Sequence, residues 1–358
     1  MGPKAHQRDR QRNAPRGGHA HAEPAEIAAV IQCGGRGERL AFPGPKPLVD
    51  LGGGKRPLSN LLRDIPAHIP VYLHLLREHK EVFGRFLEAE GNFGHRISYL
   101  IQQEGFLYDR DCVPMRHPDG TWITASNGPA TFSRHFAVPP AGHFLIIDGA
   151  KVGLCTEDFQ RALKSLRRSR GTEILAFARE LDRGERRQES ARLKAPTEHP
   201  RYARANAGKQ RVFEHPHIPA RVVADGRWMA LAGVYIASAA RFIHVVEALT
   251  NRTEAIEHAF RTAQIATLKD SQVFRANAGD LRAAYMASRS ADALFKGGAF
   301  HLKVAMTLFG YNSREQGLRF DLHLQDRKTY IPGIKDVRDV EAYAKWERRR
   351  LFDYRDWS

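Results

Sequence analysis

Ile27-Ala28-Ala29-Val30-Ile31-Gln32-Cys33-Gly34-Gly35-Arg36-Gly37-Glu38-Arg39-Leu40 is the stretch that decides the fold. Its first seven residues form a nearly unbroken apolar run that stops at a cluster of glycines. A strand buried on both faces needs apolar residues at successive positions, which is the pattern of a parallel sheet covered by helices. Outward from it, Pro70 to Leu75, Ile97 to Ile101, His143 to Asp148, Glu173 to Ala178 and Met229 to Ile236 read as further strands. Pro57 to Asp64, Asp158 to Ser169 and Asp339 to Arg350 read as helices. Strands and helices alternate, so the expected class is α/β: a Rossmann-like, mostly parallel sheet with helices on both faces. Sheets of this kind bind ligands beyond the carboxyl ends of their strands. Gly34 and Asp148 both stand at such ends.

The 358 residues suffice for one large domain or two modest ones, and 42% hydrophobic residues exclude a wholly disordered chain. Residues 1–24 are polar and rich in Arg, His, Gly and Pro, which predicts a disordered basic tail. The catalytic domain is expected over 25–358. Within it, 183–227 is Arg-rich and irregular, and reads as a mobile excursion or a small antiparallel ribbon. Residues 240–312 show helical periodicity and read as a helical subdomain.

No run approaches the roughly 20 apolar residues of a membrane span. The amino terminus lacks the apolar core of a secretory signal, and three cysteines cannot build a disulfide framework. Both observations fit a reducing cytoplasm. The formal charge of +16 has two readings, nucleic acid or small polyanionic substrates. Arginines are spread along the chain without interleaved aromatics, which favours the second reading. Oligomeric state has no signature here.

The glycine cluster can fold closely around phosphates and turn several N–H groups toward them. Arg39 adds a fork of donors matched to phosphate oxygens. Lys46 follows, held between Pro45 and Pro47, whose fixed dihedrals make a stiff support for a charged tip. A P-loop is excluded because its Gly-Lys-Ser/Thr ending is absent. A dinucleotide fingerprint is excluded because Leu40 occupies the third glycine position. Asp148, closing a buried strand, is well placed to share a Mg²⁺ ion with phosphate oxygens. A turn or N-cap aspartate is the plainer alternative.

Gly34-Gly35-x-Gly37-x-Arg39-Leu40 followed by Pro45-Lys46-Pro47-Leu48 resembles the signature of the sugar-phosphate nucleotidyltransferases. Later motifs are similar to the branch containing UDP-glucose and UDP-N-acetylhexosamine pyrophosphorylases. The likeness covers scattered motifs from about residue 27 to 345. Glu38 stands where the family has Thr or Ser, and Ala41 where it has glycine. The resemblance implies the nucleotide-diphospho-sugar transferase fold. It implies an enzyme that moves NMP, with UTP as first candidate donor, to a sugar 1-phosphate and releases pyrophosphate. It places phosphate-binding and catalytic roles on Gly34, Gly35, Gly37, Arg39, Lys46 and Lys335. Base recognition falls on Gln102 or Gln103 and on Asn127 and Gly128. Sugar contacts fall on Glu214 and Gly233, and the metal on Asp148, with Asp336 as a candidate second acid. Lys335 and Asp339 keep the spacing of the family's late Lys-x-x-x-Asp motif. The same fold also accommodates cytidylyl- or guanylyltransfer to another phosphorylated or phosphonate acceptor. It accommodates a non-catalytic nucleotide- or RNA-binding protein as well.

Overall fold

The computed structural model describes residues 25–34, 42, 44–106, 113–169, 171–180, 201–203, 210–215, 218–224, 227–267, 270–272, 319–326, 328–334 and 337–349. In chain order the first half comprises β1 (Ala25–Gln32), α1 (Pro57–Asp64), β2 (Val71–Leu75), α2 (Lys80–Ala89), β3 (Ile97–Ile101), β4 (Gln103–Phe106), β5 (Thr124–Asn127), α3 (Gly128–His135), β6 (Ala141–Asp148) and α4 (Thr156–Arg168). The second half comprises β7 (Thr172–Glu180), β8 (Arg201–Ala203), β9 (Gln210–His215), β10 (Ile218–Ala224), β11 (Arg227–Ser238), α5 (Ala239–Arg261), β12 (Arg319–Gln325) and α6 (Val337–Arg349).

Strands β3, β2, β1 and β6 lie side by side and parallel. Next comes β11, antiparallel to β6 and to β7, and β12 then pairs parallel with β7. The ribbon β10-β9-β8 is antiparallel and hangs from the first half of β11. The stretch read as an excursion therefore contains a ribbon. Residues 1–24, 181–200 and 273–318 lie outside the described part, and with them the expected tail and most of the expected helical subdomain.

Alternation along β1 shows why its apolar run is continuous. Ile27, Ala29, Ile31 and Cys33 face one hydrophobic cluster, while Ala28 and Val30 face another. The first is closed by Leu58, Leu61 and Leu62 of α1, Phe83 and Leu87 of α2, Phe159 of α4 and Tyr343 and Trp346 of α6. The second is closed by Phe132 of α3 and Phe242 and Val246 of α5. Its centre is aromatic: Phe132 meets the Phe144 ring at 5.6 Å and the Phe242 ring at 5.3 Å, both edge-to-face. With both faces apolar and covered, the parallel strands cannot turn toward solvent.

Five elements went unread in the sequence: α2, α3, β12 and the paired strands β4 and β5. Ser126-Asn127-Gly128-Pro129 has the composition of a turn, yet it opens α3. Asn127 caps this helix, its Oδ1 accepting from the Ala130 N–H at 3.1 Å, and Pro129 occupies the first turn, where no N–H is needed.

Candidate functional site

The site forms at the carboxyl ends of β1, β3 and β6. Pairing of Gln32 with Asp148 brings the ends of β1 and β6 level. Gly149, just past Asp148, donates its N–H to the Gln32 carbonyl at 2.9 Å. A side chain at Gly149 would meet that oxygen at 2.7 Å and Pro47 at 3.0 Å. Glycine is thus required there, and the Lys46 segment packs directly against the turn that follows Asp148. Lys46 opens a short 3-10 turn (Lys46–Leu48) whose Pro47 and Leu48 are buried, so the backbone carrying the lysine is anchored.

At the other side, Gly34 lies against the amide of Gln102. A Cβ at residue 34 would sit 1.6 Å from Gln102 Nε2. Gln102 Oε1 is buried and has no hydrogen-bond partner among the described residues. A buried acceptor left unpaired is costly, and the cost is removed by a ligand that supplies a donor. Gln103 leads elsewhere: its Oε1 accepts from Arg134 at 2.7 Å, and its backbone pairs with Asn127 across the β4–β5 ladder. Asn127 is 3% exposed and spends its oxygen on the α3 cap, so it and Gly128 form a helix start opposite Gln103.

Asp148 is exposed. Its Oδ1 accepts from the Ala150 N–H at 3.0 Å, the bond of an aspartate turn, and its second oxygen has no hydrogen-bond partner among the described residues. The buried Cys33 thiol beneath it is pushed well above its ordinary range by burial and then by the Asp148 carboxylate, so it stays protonated. A carboxylate of this kind suits a Mg²⁺ ion shared with ligand phosphates, since that ion is commonly held by one or two carboxylates and otherwise by substrate and water. Among the described residues no cluster of His, Cys, Asp and Glu forms an all-protein cage.

Gly233 adopts φ +72° in the middle of β11, where the register with β7 shifts between Leu231 and Tyr235. The neighbouring Val234 pairs with Ile147, which sets Gly233 beside Asp148: a side chain there would reach within 3.8 Å of Asp148 Cβ and 3.5 Å of Lys151 Cε. The late segment arrives at the same place. Gly333 bridges Lys151, Val152 N–H donates to Pro332 O at 3.2 Å, and Ile334 N–H donates to Ala150 O at 2.8 Å. The chain leading into Lys335 is therefore stitched to the turn after Asp148. Gly34, Lys46, Gln102, Asp148 and Gly233 all belong to this one region. Glu214 lies on β9. Gly35, Gly37, Arg39, Lys335 and Asp336 lie outside the described residues.

Sequence reading missed Lys151. It is 7% exposed, its Nζ donates to the Ile331 carbonyl at 3.0 Å, and the Tyr330 ring centroid lies 5.4 Å away. A polar residue in a turn carries no periodicity, so only the late return of Gly333 reveals it.

No family model and no curated protein matches the sequence. Solved structures do resemble the fold. The uridine diphosphate N-acetylglucosamine pyrophosphorylase from Trypanosoma brucei aligns with a TM-score of 0.50 at 12% identity, covering 87% of this chain and 62% of that one. This chain thus spans less than two thirds of the trypanosomal protein. CMP:2-keto-3-deoxy-manno-octonic acid synthetase, solved with CTP, aligns at TM-score 0.45 and 12% identity over 91% of this chain and all of that one (100%). The 4-diphosphocytidyl-2C-methyl-D-erythritol synthase from Anaerococcus prevotii DSM 20548 aligns at 0.43 and 11% identity, over 91% of this chain and 97% of that one. At these identities the likeness is one of fold, and the fold is that of the nucleotide-diphospho-sugar transferases. Among the described residues no helix is long and apolar enough to cross a membrane.

Proposed function

We propose that this chain is a metal-dependent nucleotidyltransferase that transfers NMP, with UTP as first candidate donor, to a sugar 1-phosphate. The observation that carries the reading is the meeting of Gly34, the Lys46 segment, Asp148 and the Gly333 segment at the carboxyl ends of β1 and β6. These are the parts a polyphosphate site needs, drawn from distant stretches of sequence.

The reaction is an in-line displacement. An oxygen of the acceptor phosphate attacks the α-phosphorus, the bond from that phosphorus to the β-phosphate oxygen breaks, and pyrophosphate leaves. The nucleophile is already ionised, so no general base is required. Positioning and countercharge are the catalytic tasks. Gly34, Gly35, Gly37 and Arg39 hold the β- and γ-phosphates. Lys46 stabilises charge on the α-phosphate and the leaving oxygen, and Lys335 brings in the acceptor phosphate. Mg²⁺, held by Asp148, supplies charge neutralisation across the phosphates when bound. The Gln102 amide offers a donor and an acceptor to a base edge. Gly233 leaves room for the acceptor next to Asp148. An amide of this kind pairs with uracil or cytosine, so CTP is the second donor to test.

The test is pyrophosphate release from four NTPs, each paired with a panel of sugar 1-phosphates in the presence of Mg²⁺. Turnover with one pair at the expense of the others is the expected result. Absence of release across the matrix, together with tight, strongly salt-dependent RNA binding, overturns the reading in favour of a nucleic-acid-binding protein.

A further inference from the structure

Lys151 is a buried cation with too few partners. Its side chain threads between two glycines from distant parts of the chain. Gly233 lies on one side, and Gly333, where a Cβ would stand 3.6 Å from Lys151 Cδ, Cε and Nζ, on the other. An ammonium has three donors. One is spent on Ile331 O, and the Tyr330 ring offers its face. Among the described residues no carboxylate lies within ion-pair distance of Lys151. The same Tyr330 ring also has the Arg179 guanidinium carbon 5.2 Å from its centroid, so a second cation, 3% exposed, adds to the positive charge at this point. A charge removed from water is stable only when compensated, and a neighbouring cation does not compensate the lysine. The two backbone hydrogen bonds that form the Lys151–Gly333 bridge already fasten the late segment, so the lysine charge is not needed to hold it.

We propose that Lys151 is a phosphate-binding residue: its ammonium, set between Gly233 and Gly333 beside Asp148, takes the phosphate of the acceptor. This rests on the reading that the acceptor is a sugar phosphate, and assigns that phosphate a fixed cation in the floor of the site in addition to Lys335. Glycine at 233 and at 333 keeps the approach to the ammonium open. A Cβ at either position would come into van der Waals contact with the lysine side chain.

The test uses the full chain, with Lys151→Met, which keeps length and removes charge, and Lys151→Gln, which keeps a donor for Ile331 O and removes charge. Thermal unfolding is followed with inorganic phosphate titrated at constant ionic strength. Phosphate is expected to raise the wild-type Tm. Both variants are expected to need about tenfold more phosphate for the same rise, or to lose the response, while their Tm without phosphate equals or exceeds that of wild type. Arg85→Ala, which removes an exposed cation on α2 paired with Glu81, is expected to keep the response. A purely structural lysine gives the opposite pattern: Lys151→Met lowers the Tm without phosphate, Lys151→Gln restores it, and the phosphate response survives in both. That result, or a wild type insensitive to phosphate, overturns the proposal. UTP binding is measured in parallel. UTP bound without a Lys151-dependent phosphate response sinks this inference alone, whereas the response without UTP binding sinks the uridylyltransfer reading alone.

Discussion

Asp148 and Asp158 belong to the same strand–helix unit and meet opposite fates. Asp148 ends β6 in the open, with one oxygen bonded to the Ala150 N–H and the other unspent among the described residues. Asp158 sits in the first turn of α4, 1% exposed, with His323 Nε2 at 2.8 Å, Gln325 Nε2 at 2.7 Å and Arg161 at 3.0 Å. Burial acts to raise the Asp158 carboxyl, but hydrogen bonds from His323, Gln325 and Arg161 outweigh it and hold the group below the ordinary carboxylate range. The lesson concerns lone pairs. An acid whose acceptor sites are all used inside the protein serves the fold, and one that keeps acceptor capacity at the mouth of a site serves a ligand.

The largest effect expected from this contrast is at Asp148. Asp148→Asn should slow pyrophosphate release by about 10²–10³-fold, the scale of removing one electrostatic stabiliser from a transition state. Thermal unfolding of the variant should match wild type. A variant that unfolds early and keeps its turnover would move Asp148 into the structural class. Asp158→Ala should do the reverse. Removing one partner from a buried charged cluster costs about 3–5 kcal/mol, measurable by urea denaturation, with turnover per folded molecule retained. The acid limb adds a sign. The folded carboxyl titrates below the unfolded one, so its contribution is complete above the unfolded value and is lost as pH falls through the folded value. The stability gap between wild type and Asp158→Ala should therefore narrow in acid.

Next in size is Gly34→Ala. The added methyl overlaps the far end of the flexible Gln102 side chain, so the amide must swing away while the fold persists. Without that amide's hydrogen bond to the base, KM for the nucleotide should rise about tenfold with kcat little changed. An unchanged KM would detach Gln102 from base recognition.

The same contrast explains what the sequence made legible. Residues 27–33 and 143–148 announce themselves because both faces of β1 and β6 are buried, so apolarity is continuous and the glycine or acid at the end stands out. Asp148 and Asp158 look alike in sequence, since His323 and Gln325 approach from a strand near the other end of the chain. Likewise α3 hid behind turn-like residues whose proline and asparagine are cap residues. Helix α2 buries only Phe83 and Leu87 and carries Gly84 inside, which leaves a faint periodicity. Lys151 has meaning only beside Gly233 and Gly333, and no local pattern joins those three.

Glu257 gives the smallest effect and the sharpest check, because it is a third carboxylate with intermediate partnering. It is 8% exposed; Oε1 accepts from Phe106 N–H at 2.9 Å, and Arg261 lies 3.3 Å from Oε2. Here burial outweighs the Phe106 N–H and Arg261, and the carboxyl titrates above its ordinary range. The sign therefore inverts relative to Asp158: the folded state holds its proton more tightly than the unfolded one, so stability declines as pH rises from the unfolded value through the folded one. Glu257→Gln keeps an acceptor for Phe106 N–H and cannot ionise. Its Tm measured against wild type should climb as pH rises above the ordinary carboxylate value, a range in which the Asp158→Ala deficit is already complete and no longer changes. A difference that stays flat across that range would show that Arg261 already offsets the burial of Glu257. Partner count alone would then not separate the three acids.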